Sequence, residues 1–445
     1  MPPPRAPWHP RHRLCASLGL CGRSARLIVA LAALATMDVA SAGNANLAVT
    51  ARKILGATQG VYVEAADGTV LVAQAASRAV HPASVSKVPS TLALLAKLGP
   101  DYRFETHFAW SGPIVDGALQ GDLTVRSDGD VTLVDEDALL VAARLNALGI
   151  RRIAGTLRPS GSLTFDWQPD PEGVRLRHAL AGYVPDPAWQ AVRQLTSGDL
   201  GVAAGEARPA LSFIETPAHG AYVTRAALTP PSHGARELVY RSQPLISLLK
   251  SLNDYSNNIF DSLVEAIGGA PTVQAVARSR VPADLRAEIT LADAAGADPH
   301  NRLSPRVAVR LLRALEGELA TTGHTLSDVL PVAGVDTGTL EARIDDPDQS
   351  GRVVGKTGTF GSYGASALVG AIRTLEHGTV YFAILDHGVP VQEARRRQDR
   401  FVRALLARYR TEPWPYHRDL RSAVMRAQIL VLDREAAGSA PTVSH

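Results

Sequence analysis

The chain has 445 residues, 46% of them hydrophobic, which is enough for two or three domains with buried cores. Its formal net charge is only +3, and five arginines before residue 30 account for that excess, so composition excludes a basic nucleic-acid-binding surface. Both cysteines, Cys15 and Cys21, lie in the same N-terminal stretch, which excludes cysteine catalysis and thiolate metal sites in the remaining chain.

The N-terminal segment has the features of a secretory signal peptide. Its arginines precede the apolar run Leu27–Ala35, and Ala40-Ser41-Ala42 supplies small residues for cleavage. Asp38 interrupts the apolar run before it reaches the roughly 20 residues that a bilayer-spanning helix needs. We therefore predict that residues 1–42 are removed and that the mature chain is exported to the periplasm without a transmembrane anchor.

Strand patterns occur near both ends of the remaining chain. Val61–Glu64 and Thr69–Val72 flank the Asp67-Gly68 turn in the manner of a β-hairpin. An isolated hairpin is only marginally stable, so we predict that this hairpin joins the later strands in one sheet. Those later elements are three strands and a helix, at Val353–Thr359, Ala367–Arg373, Thr379–Leu385 and Gln392–Arg410.

The segment between these strands is predicted to be an insertion. A helical pattern from Ser84 to Leu98 ends at Gly99-Pro100, and the stretch after it is rich in turns and short apolar runs, which is typical of β-structure. Helical patterns resume after residue 241. The sequence thus predicts an α+β protein with a signal peptide (1–42), a discontinuous main domain (43–98 and 241–411), one or more inserted domains (99–240) and a C-terminal tail (412–445) containing a helical run over Leu420–Leu432.

Ser84 and Lys87 form an S-x-x-K motif at the start of a predicted helix. Residues three apart share a helix face, so the hydroxyl and the amine can meet, and a lysine that loses its proton can activate a serine. The motif is weak alone, because Ser247 and Lys250 have the same spacing. The usual interpretation of such a pair is a solvated helix face.

Two further motifs distinguish the two candidates. Ser256-Asn257-Asn258 gives S-x-N in a short break between helices, and Lys356–Thr359 gives K-T-G-T on a predicted strand. Ser84 precedes both at domain-scale distances, whereas Ser247 lies within the helix that leads into the S-x-N break. The order S-x-x-K, S-x-N, K-T-G is the signature of penicilloyl-serine transferases.

Longer segments resemble the DacB-type family of low-molecular-mass penicillin-binding proteins, which are D-Ala-D-Ala carboxypeptidases and endopeptidases. The resemblance extends over residues 50–410 and is weaker between 160 and 240. It implies a β-lactamase/transpeptidase-like domain, an antiparallel sheet flanked by helices, with a β-rich domain inserted after the nucleophile helix. The segments that carry it are Pro82-Ala83-Ser84, Leu95–Phe104, Gly129–Leu133, Gly149–Ile153, Asn301–Pro305 and Leu330–Asp336.

The resemblance also implies roles for the motif residues. Ser84 would be the nucleophile, Lys87 its base and Ser256 a proton relay to the leaving amine. The backbone N–H groups of Ser84 and Thr359 would form the oxyanion hole. The resemblance implies that Asn258 binds the peptide backbone and that Lys356, Thr357 and Thr359 bind the terminal carboxylate. Gly358 is predicted to be a further substrate-binding residue of the same motif, and Asp130 would bind the amine of a diaminopimelate residue.

Four departures from the family pattern put substrate fit in doubt. Pro89 falls inside the expected helix, where it removes a hydrogen bond and is expected to kink the first turns. Val131 stands where the family has proline, and Ala295–Asp298 replaces a Gly-Ser-Gly stretch. The insertion is shorter than is usual for the family. For Asp130, capping of a turn is an equal alternative to substrate contact.

The expected activity is the hydrolysis of peptidoglycan stem peptides through an acyl-serine, with β-lactams as covalent inhibitors. The alternatives are a β-lactamase, an esterase on the same fold, or a non-catalytic wall-binding protein. No glutamate lies in the E-x-x-L-N setting that a β-lactamase uses to activate water. No histidine pair has metal-ligand spacing, and we predict neither a metal nor a cofactor.

Overall fold

The computed structural model describes residues 46–194, 208–214, 236–361, 364–419 and 423–433. The predicted signal peptide lies outside the described residues. The α-helices are α1 (46–55), α2 (Lys87–Leu98), α3 (Asp135–Ala147), α4 (Val174–Leu180), α5 (Asp186–Arg193), α6 (Leu245–Asp254), α7 (Phe260–Val264), α8 (Gly269–Ser279), α9 (Pro305–Ala320), α10 (Val391–Arg408) and α11 (Ala423–Arg426).

The strands are β1 (Gly60–Ala65), β2 (Val70–Gln74), β3 (Glu105–Trp110), β4 (Ile114–Val115), β5 (Ala118–Leu119), β6 (Leu123–Ser127), β7 (Arg152–Ile153), β8 (Leu157–Gly161), β9 (Thr164–Phe165), β10 (Gln168–Pro169), β11 (Ser212–Phe213), β12 (Arg236–Arg241), β13 (Ile289–Thr290), β14 (Arg302–Leu303), β15 (Val353–Phe360), β16 (Ala365–Thr374), β17 (Gly378–Asp386), β18 (Thr411–Glu412) and β19 (Gln428–Asp433). Short 3₁₀ helices occupy Ala83–Ser86, Glu265–Ile267, Ala283–Glu288 and Leu326–Asp328.

The main sheet has the strand order β15-β16-β17-β1-β2, and β18 also pairs with β16. β1 pairs antiparallel with β17, with Gly60 opposite Leu385, which confirms that the early hairpin and the late strands share one sheet. Alternate residues of a strand face opposite sides of a sheet. On one side Val61 packs with α1 and α10, and on the other side Tyr62 packs with α2 and α9.

A second group of elements fills the long interval between α2 and α6. Its larger sheet has the order β19-β12-β3-β6-β8, and its smaller sheet has the order β11-β7-β5-β4. Helices α3, α4 and α5 contribute to the separate hydrophobic core of this group, from Phe108 to Tyr240. The chain leaves and returns on adjacent strands, because Glu105 at the start of β3 lies opposite Arg241 at the end of β12.

Two local predictions are corrected by the structure. Gln428–Asp433 forms β19 against β12, so the helix predicted over Leu420–Leu432 is wrong there, because pairing with a distant strand overrides the local pattern. The expected kink at Pro89 is also wrong. The α-helix begins at Lys87, so Pro89 lies in the first turn, where its missing N–H would have no partner within the helix.

Helices capable of crossing a membrane are absent from the described part of the chain.

Candidate active site

Ser84 lies in the 3₁₀ turn Ala83–Ser86, directly before α2. Ala83 has a positive φ of 48°, and its amide donates to Nδ1 of His81 at 3.1 Å. Because Nδ1 accepts a hydrogen bond, Nε2 carries the proton and donates to the carbonyl oxygen of Asp298 at 3.0 Å. Burial lowers the pKa of His81, and its ring stacks on Phe360 with centroids 4.4 Å apart. A neutral histidine therefore holds the strained turn that presents Ser84.

The amine of Lys87 contacts Ser84 and two other acceptors. Nζ lies 3.0 Å from Ser84 Oγ and 3.1 Å from Asn258 Oδ1, in the S-x-N motif. It also lies 2.5 Å from the carbonyl oxygen of Ala295. The structure thus brings residues of the S-x-x-K and S-x-N motifs together around one buried amine.

Burial lowers the pKa of Lys87 to about 8, although the carboxylates of Asp261 and Asp293 partly oppose this shift. Roughly a tenth of the Lys87 amines are consequently free at pH 7, far more than for an unperturbed lysine, so the residue can act as a general base. The ring of Phe260 lies 5.8 Å from Nζ and contributes to the apolar surroundings.

The Ala295 carbonyl is held by a loop that the sequence analysis noted only as a departure from the family pattern. Asp293 accepts hydrogen bonds from the amides of Gly296, Ala297 and Asp298 at 2.6–2.7 Å. Gly296 has a φ of +88°, and a Cβ there would lie 2.0 Å from the Ala83 carbonyl oxygen. An aspartate three residues before a glycine is a recognisable turn signal, but nothing in the sequence indicates that this turn reaches Lys87.

The S-x-N motif lies in a tight turn at the end of α6. Ser256 has a φ of +54°, and its amide donates to the Asn253 carbonyl oxygen at 3.3 Å. Asn257 reinforces the turn by accepting from the amide of Ile259 at 2.9 Å. The half-buried Ser256 hydroxyl makes no hydrogen bond with another described residue, so the structure brings Asn258 of this motif, and not Ser256, into direct contact with Lys87.

The second S-x-x-K pair has a different environment. Lys250 Nζ lies 2.5 Å from Asp336 and 2.7 Å from the Leu330 carbonyl oxygen, and it lies 4.5 Å from the centroid of the Tyr416 ring. Its side chain is only 12% exposed, so the expectation of a solvated helix face is wrong for Lys250. Because the Lys250 amine forms an ion pair with Asp336, it is not available as a base for Ser247.

The K-T-G-T motif lies on β15, at the edge of the main sheet. The amide of Gly355 points away from β16 and donates to the Pro331 carbonyl oxygen at 3.1 Å. Alternate amides of a strand point to the same edge, so the amides of Thr357 and Thr359 also point outward. Gly358 allows close approach, because a Cβ there would lie 3.0 Å from the amide nitrogen of Ser84. The geometry is consistent with two amide donors near the serine.

Lys356 is fully buried, and its Nζ donates to the Thr357 carbonyl oxygen at 3.1 Å. Burial, and then the positive charge of Lys87, hold the pKa of Lys356 well below its usual range. Thr357 is also buried, whereas Thr359 is exposed and its hydroxyl accepts from Arg395 at 2.9 Å. Sequence reasoning missed Arg395, which lies within the predicted helix Gln392–Arg410 but in none of the three motifs.

Asp130 is fully buried in the second group of elements. Its Oδ1 accepts from the amide and the hydroxyl of Thr132 at 2.8 and 2.7 Å, and burial raises the pKa of its carboxyl group. It makes no hydrogen bond with the motif residues among the described parts of the chain. These contacts are those of a turn cap, which is the alternative to substrate contact.

Within the described ranges, no group of three or more His, Cys, Asp or Glu side chains has an arrangement that could hold a metal ion. The chemistry available to the site is that of a serine hydroxyl beside a buried amine, with amide donors nearby.

A sequence profile of the D-Ala-D-Ala carboxypeptidase 3 (S13) family matches residues 43–175 and 221–408. The chain belongs to this family. Membership confirms the family predicted from the motifs and identifies the chain as a serine-type D-Ala-D-Ala carboxypeptidase, a hydrolase.

Individual relatives agree with the S13 assignment. Carboxypeptidase DacB of Mycolicibacterium smegmatis is 26% identical over 370 residues, which is 76% of this chain and 78% of that protein. A D-alanyl-D-alanine carboxypeptidase of Actinomadura sp. (strain R39) is 36% identical over 125 residues, 26% of this chain and 23% of the relative.

Solved structures also support the fold predicted for this S13 protein. The predatory endopeptidase Bd3459 of Bdellovibrio bacteriovorus, acylated by penicillin G, superposes with a TM-score of 0.69 at 22% identity. The superposition covers 83% of this chain and 99% of the other. The α+β, β-lactamase/transpeptidase-like fold class is therefore confirmed.

Proposed function

We propose that this S13 protein cleaves the terminal D-Ala-D-Ala bond of peptidoglycan stem peptides through an acyl-enzyme on Ser84. The observation that carries the proposal is the buried amine of Lys87, 3.0 Å from the Ser84 hydroxyl, with a pKa of about 8. A hydroxyl beside such a base is an activated nucleophile. We further propose hydrolysis of D-Ala cross-links, because a cross-link presents the same D-alanyl carbonyl.

In the proposed first step, Ser84 Oγ attacks the carbonyl carbon of the penultimate D-alanine while its proton passes to Lys87 Nζ. The amides of Ser84 and Thr359 stabilise the oxyanion that forms. Collapse of this intermediate breaks the C–N bond, and the departing amine of the last D-alanine takes a proton through the Ser256 hydroxyl. Water then hydrolyses the ester, returning Ser84 and releasing the shortened peptide.

The substrate lies between β15 and the S-x-N turn in this proposal. Asn258 is exposed and is suited to hydrogen bond with the peptide backbone. Thr357, Gly358 and Thr359 line the β15 edge, and Lys356 exchanges protons with Ser256 behind it. A β-lactam would be attacked in the same way, but its leaving group stays tethered after ring opening, so the acyl-enzyme persists.

The proposal is tested by digesting purified muropeptides with the enzyme and measuring the products by mass spectrometry. Loss of one alanine identifies carboxypeptidase activity, and loss of a cross-link identifies endopeptidase activity. Ser84→Ala should abolish labelling by fluorescent penicillin, whereas Ser247→Ala is the matched control and should keep it. Steady turnover of nitrocefin, in place of a single acylation burst, would indicate a β-lactamase.

We also propose that the protein is exported to the periplasm after removal of residues 1–42. The arginine-rich start, the short apolar run and Ala40-Ser41-Ala42 support this processing. N-terminal sequencing of the exported protein should begin near Gly43. Recovery of a cytoplasmic chain that retains Cys21 would contradict it.

A further inference from the structure

A D-Ala-D-Ala peptide ends in a free carboxylate, which calls for a cationic partner close to the scissile bond. Lys356 is the motif residue expected to supply that charge. Its amine is fully buried and donates to the Thr357 carbonyl oxygen. Burial holds the pKa of Lys356 well below its usual range, which favours the neutral amine. A neutral, enclosed amine is a poor partner for a carboxylate.

Arg395 on α10 provides a positive charge at the C-terminal end of β15, where Thr359 lies. Its guanidinium group donates to the Thr359 hydroxyl at 2.9 Å. The side chain is half-buried, and burial, together with Arg343, lowers the pKa of Arg395. An arginine nevertheless stays protonated in proteins, unlike a lysine in a comparable environment.

Three other arginines of α10 already have a carboxylate partner. Arg396, Arg397 and Arg400 lie 2.7, 2.8 and 3.8 Å from Glu393. Arg395 has no carboxylate within ion-pair distance among residues 46–194, 208–214, 236–361, 364–419 and 423–433.

The nearby carboxylate of Asp399 favours the charge on Arg395, but Asp399 is itself bound by two nitrogens of Arg343, at 2.9 and 2.6 Å. The charge of Arg395 is therefore available to a ligand.

We propose that Arg395 binds the C-terminal carboxylate of the stem peptide and sets the preference for a free acid. The proposal rests on the proposed function. The Thr359 hydroxyl accepts one N–H from Arg395, so its own hydrogen points elsewhere and is available to the same carboxylate. The remaining guanidinium donors give the second contact, in the forked geometry that suits a carboxylate.

The position of Arg395 follows from the chemistry of the substrate. In the proposed mechanism the Thr359 amide holds the oxygen of the scissile carbonyl group. The carboxylate carbon lies only two bonds beyond the scissile nitrogen. A peptide held by that amide consequently places its terminus beside the Thr359 side chain, which is where Arg395 makes its contact.

The test compares a D-Ala-D-Ala peptide as the free acid and as the C-terminal amide. Arg395→Gln should lower kcat/KM for the free acid roughly 10- to 100-fold and leave the amide nearly unchanged, so the preference collapses. Arg395→Lys should restore part of the preference, because it keeps the charge but not the fork. Arg400→Gln is the matched control on the same helix, and it should retain the full preference.

An active wild-type enzyme whose Arg395→Gln variant keeps the free-acid preference would overturn this inference alone. An equal loss on both peptides would also overturn it, since Arg395 would then only position Thr359. Thermal unfolding of each variant excludes a folding defect as the cause of lost activity. A wild-type enzyme that hydrolyses neither peptide and is not acylated by penicillin would overturn the proposed function together with this inference.

Discussion

Nζ of Lys87 lies 3.0 Å from Oγ of Ser84, and Asn258 and Ala295 supply two more acceptors around the same nitrogen. A protonated amine can donate to all three. After loss of one proton, two N–H groups can keep Asn258 and Ala295, which leaves the lone pair directed at the serine hydroxyl. The surroundings thus orient the basic form of the amine.

The rate of acylation by penicillin should rise with pH and level off above a midpoint near 8. The pKa of Lys87 is lowered to about 8, so the amine is mostly protonated below this value and mostly free above it. Second-order rate constants measured between about pH 6 and 10 check this dependence. Lys87→Arg should remove acylation at every pH, because arginine does not give up its proton.

A pH-independent rate through this range, or near-normal acylation of the arginine variant, would assign the base to another group.

Gly296→Ala should reduce penicillin acylation on the order of 100-fold, the loss typical of a displacement of about 1 Å in a catalytic group. The added Cβ would lie 2.0 Å from the Ala83 carbonyl oxygen and must move the turn that carries Ser84. Gly323→Ala is the matched control, since Gly323 also has a positive φ of 77° but nothing within 4 Å of the added atom. Gly323→Ala should lose about 1–2 kcal/mol of stability through its left-handed backbone conformation. Gly296→Ala should lose more, because it adds the contact with the Ala83 backbone, and it alone should lose acylation per folded molecule.

Equal acylation by the two alanine variants would show that the turn tolerates the contact.

Lys250→Ala should lower the free energy of unfolding by about 3–5 kcal/mol, because it leaves the buried carboxylate of Asp336 without its cation. Asp336 is only 1% exposed, and it also accepts from Tyr416 at 2.8 Å. Urea denaturation of the purified variant measures the loss. Lys97→Ala, which removes an exposed lysine, should change stability by less than about 0.5 kcal/mol.

Lys250→Ala should also raise the pKa of Asp254 above about 7, because the charge of Lys250 opposes the effect of burial on that carboxyl group. A stability change no larger than that of the Lys97 variant would contradict a structural role for the ion pair.

Asp130→Ala should lower stability by about 1–3 kcal/mol, because two donors of Thr132 lose their acceptor. The value of kcat/KM per folded molecule should be unchanged for stem peptides with diaminopimelate at the third position. It should likewise be unchanged for stem peptides with lysine there. Asp130→Asn keeps an acceptor oxygen and should be milder. A loss confined to the diaminopimelate peptide would restore Asp130 as a substrate contact.

The sequence predicted the parts of the site that depend on short spacing. Ser84 and Lys87 are close because one helical turn separates them, and the three-motif order favoured this pair over Ser247 and Lys250. The shared sheet followed from the instability of a lone hairpin. Pro89 was misjudged because the start of the helix was placed three residues too early.

The remaining features depend on contacts between segments that are distant in sequence. The Ala295 carbonyl meets Lys87 only because the loop after β13 folds over the serine turn. Arg395 reaches Thr359 only because α10 packs on the main sheet. Lys250 resembled a surface lysine because its partner Asp336 lies far along the chain. No local pattern contains such information.

The pairing of β1 with β17 has a consequence for the synthesis of the protein. Gly60 meets Leu385, so a nascent chain holds the serine and its lysine long before the strand that completes their sheet emerges. Closing so large a loop is entropically costly and slow, and such non-local pairing delays folding. Fragments that end before β17 should therefore remain unlabelled by penicillin. During refolding, the appearance of label should report the pairing of β1 with β17.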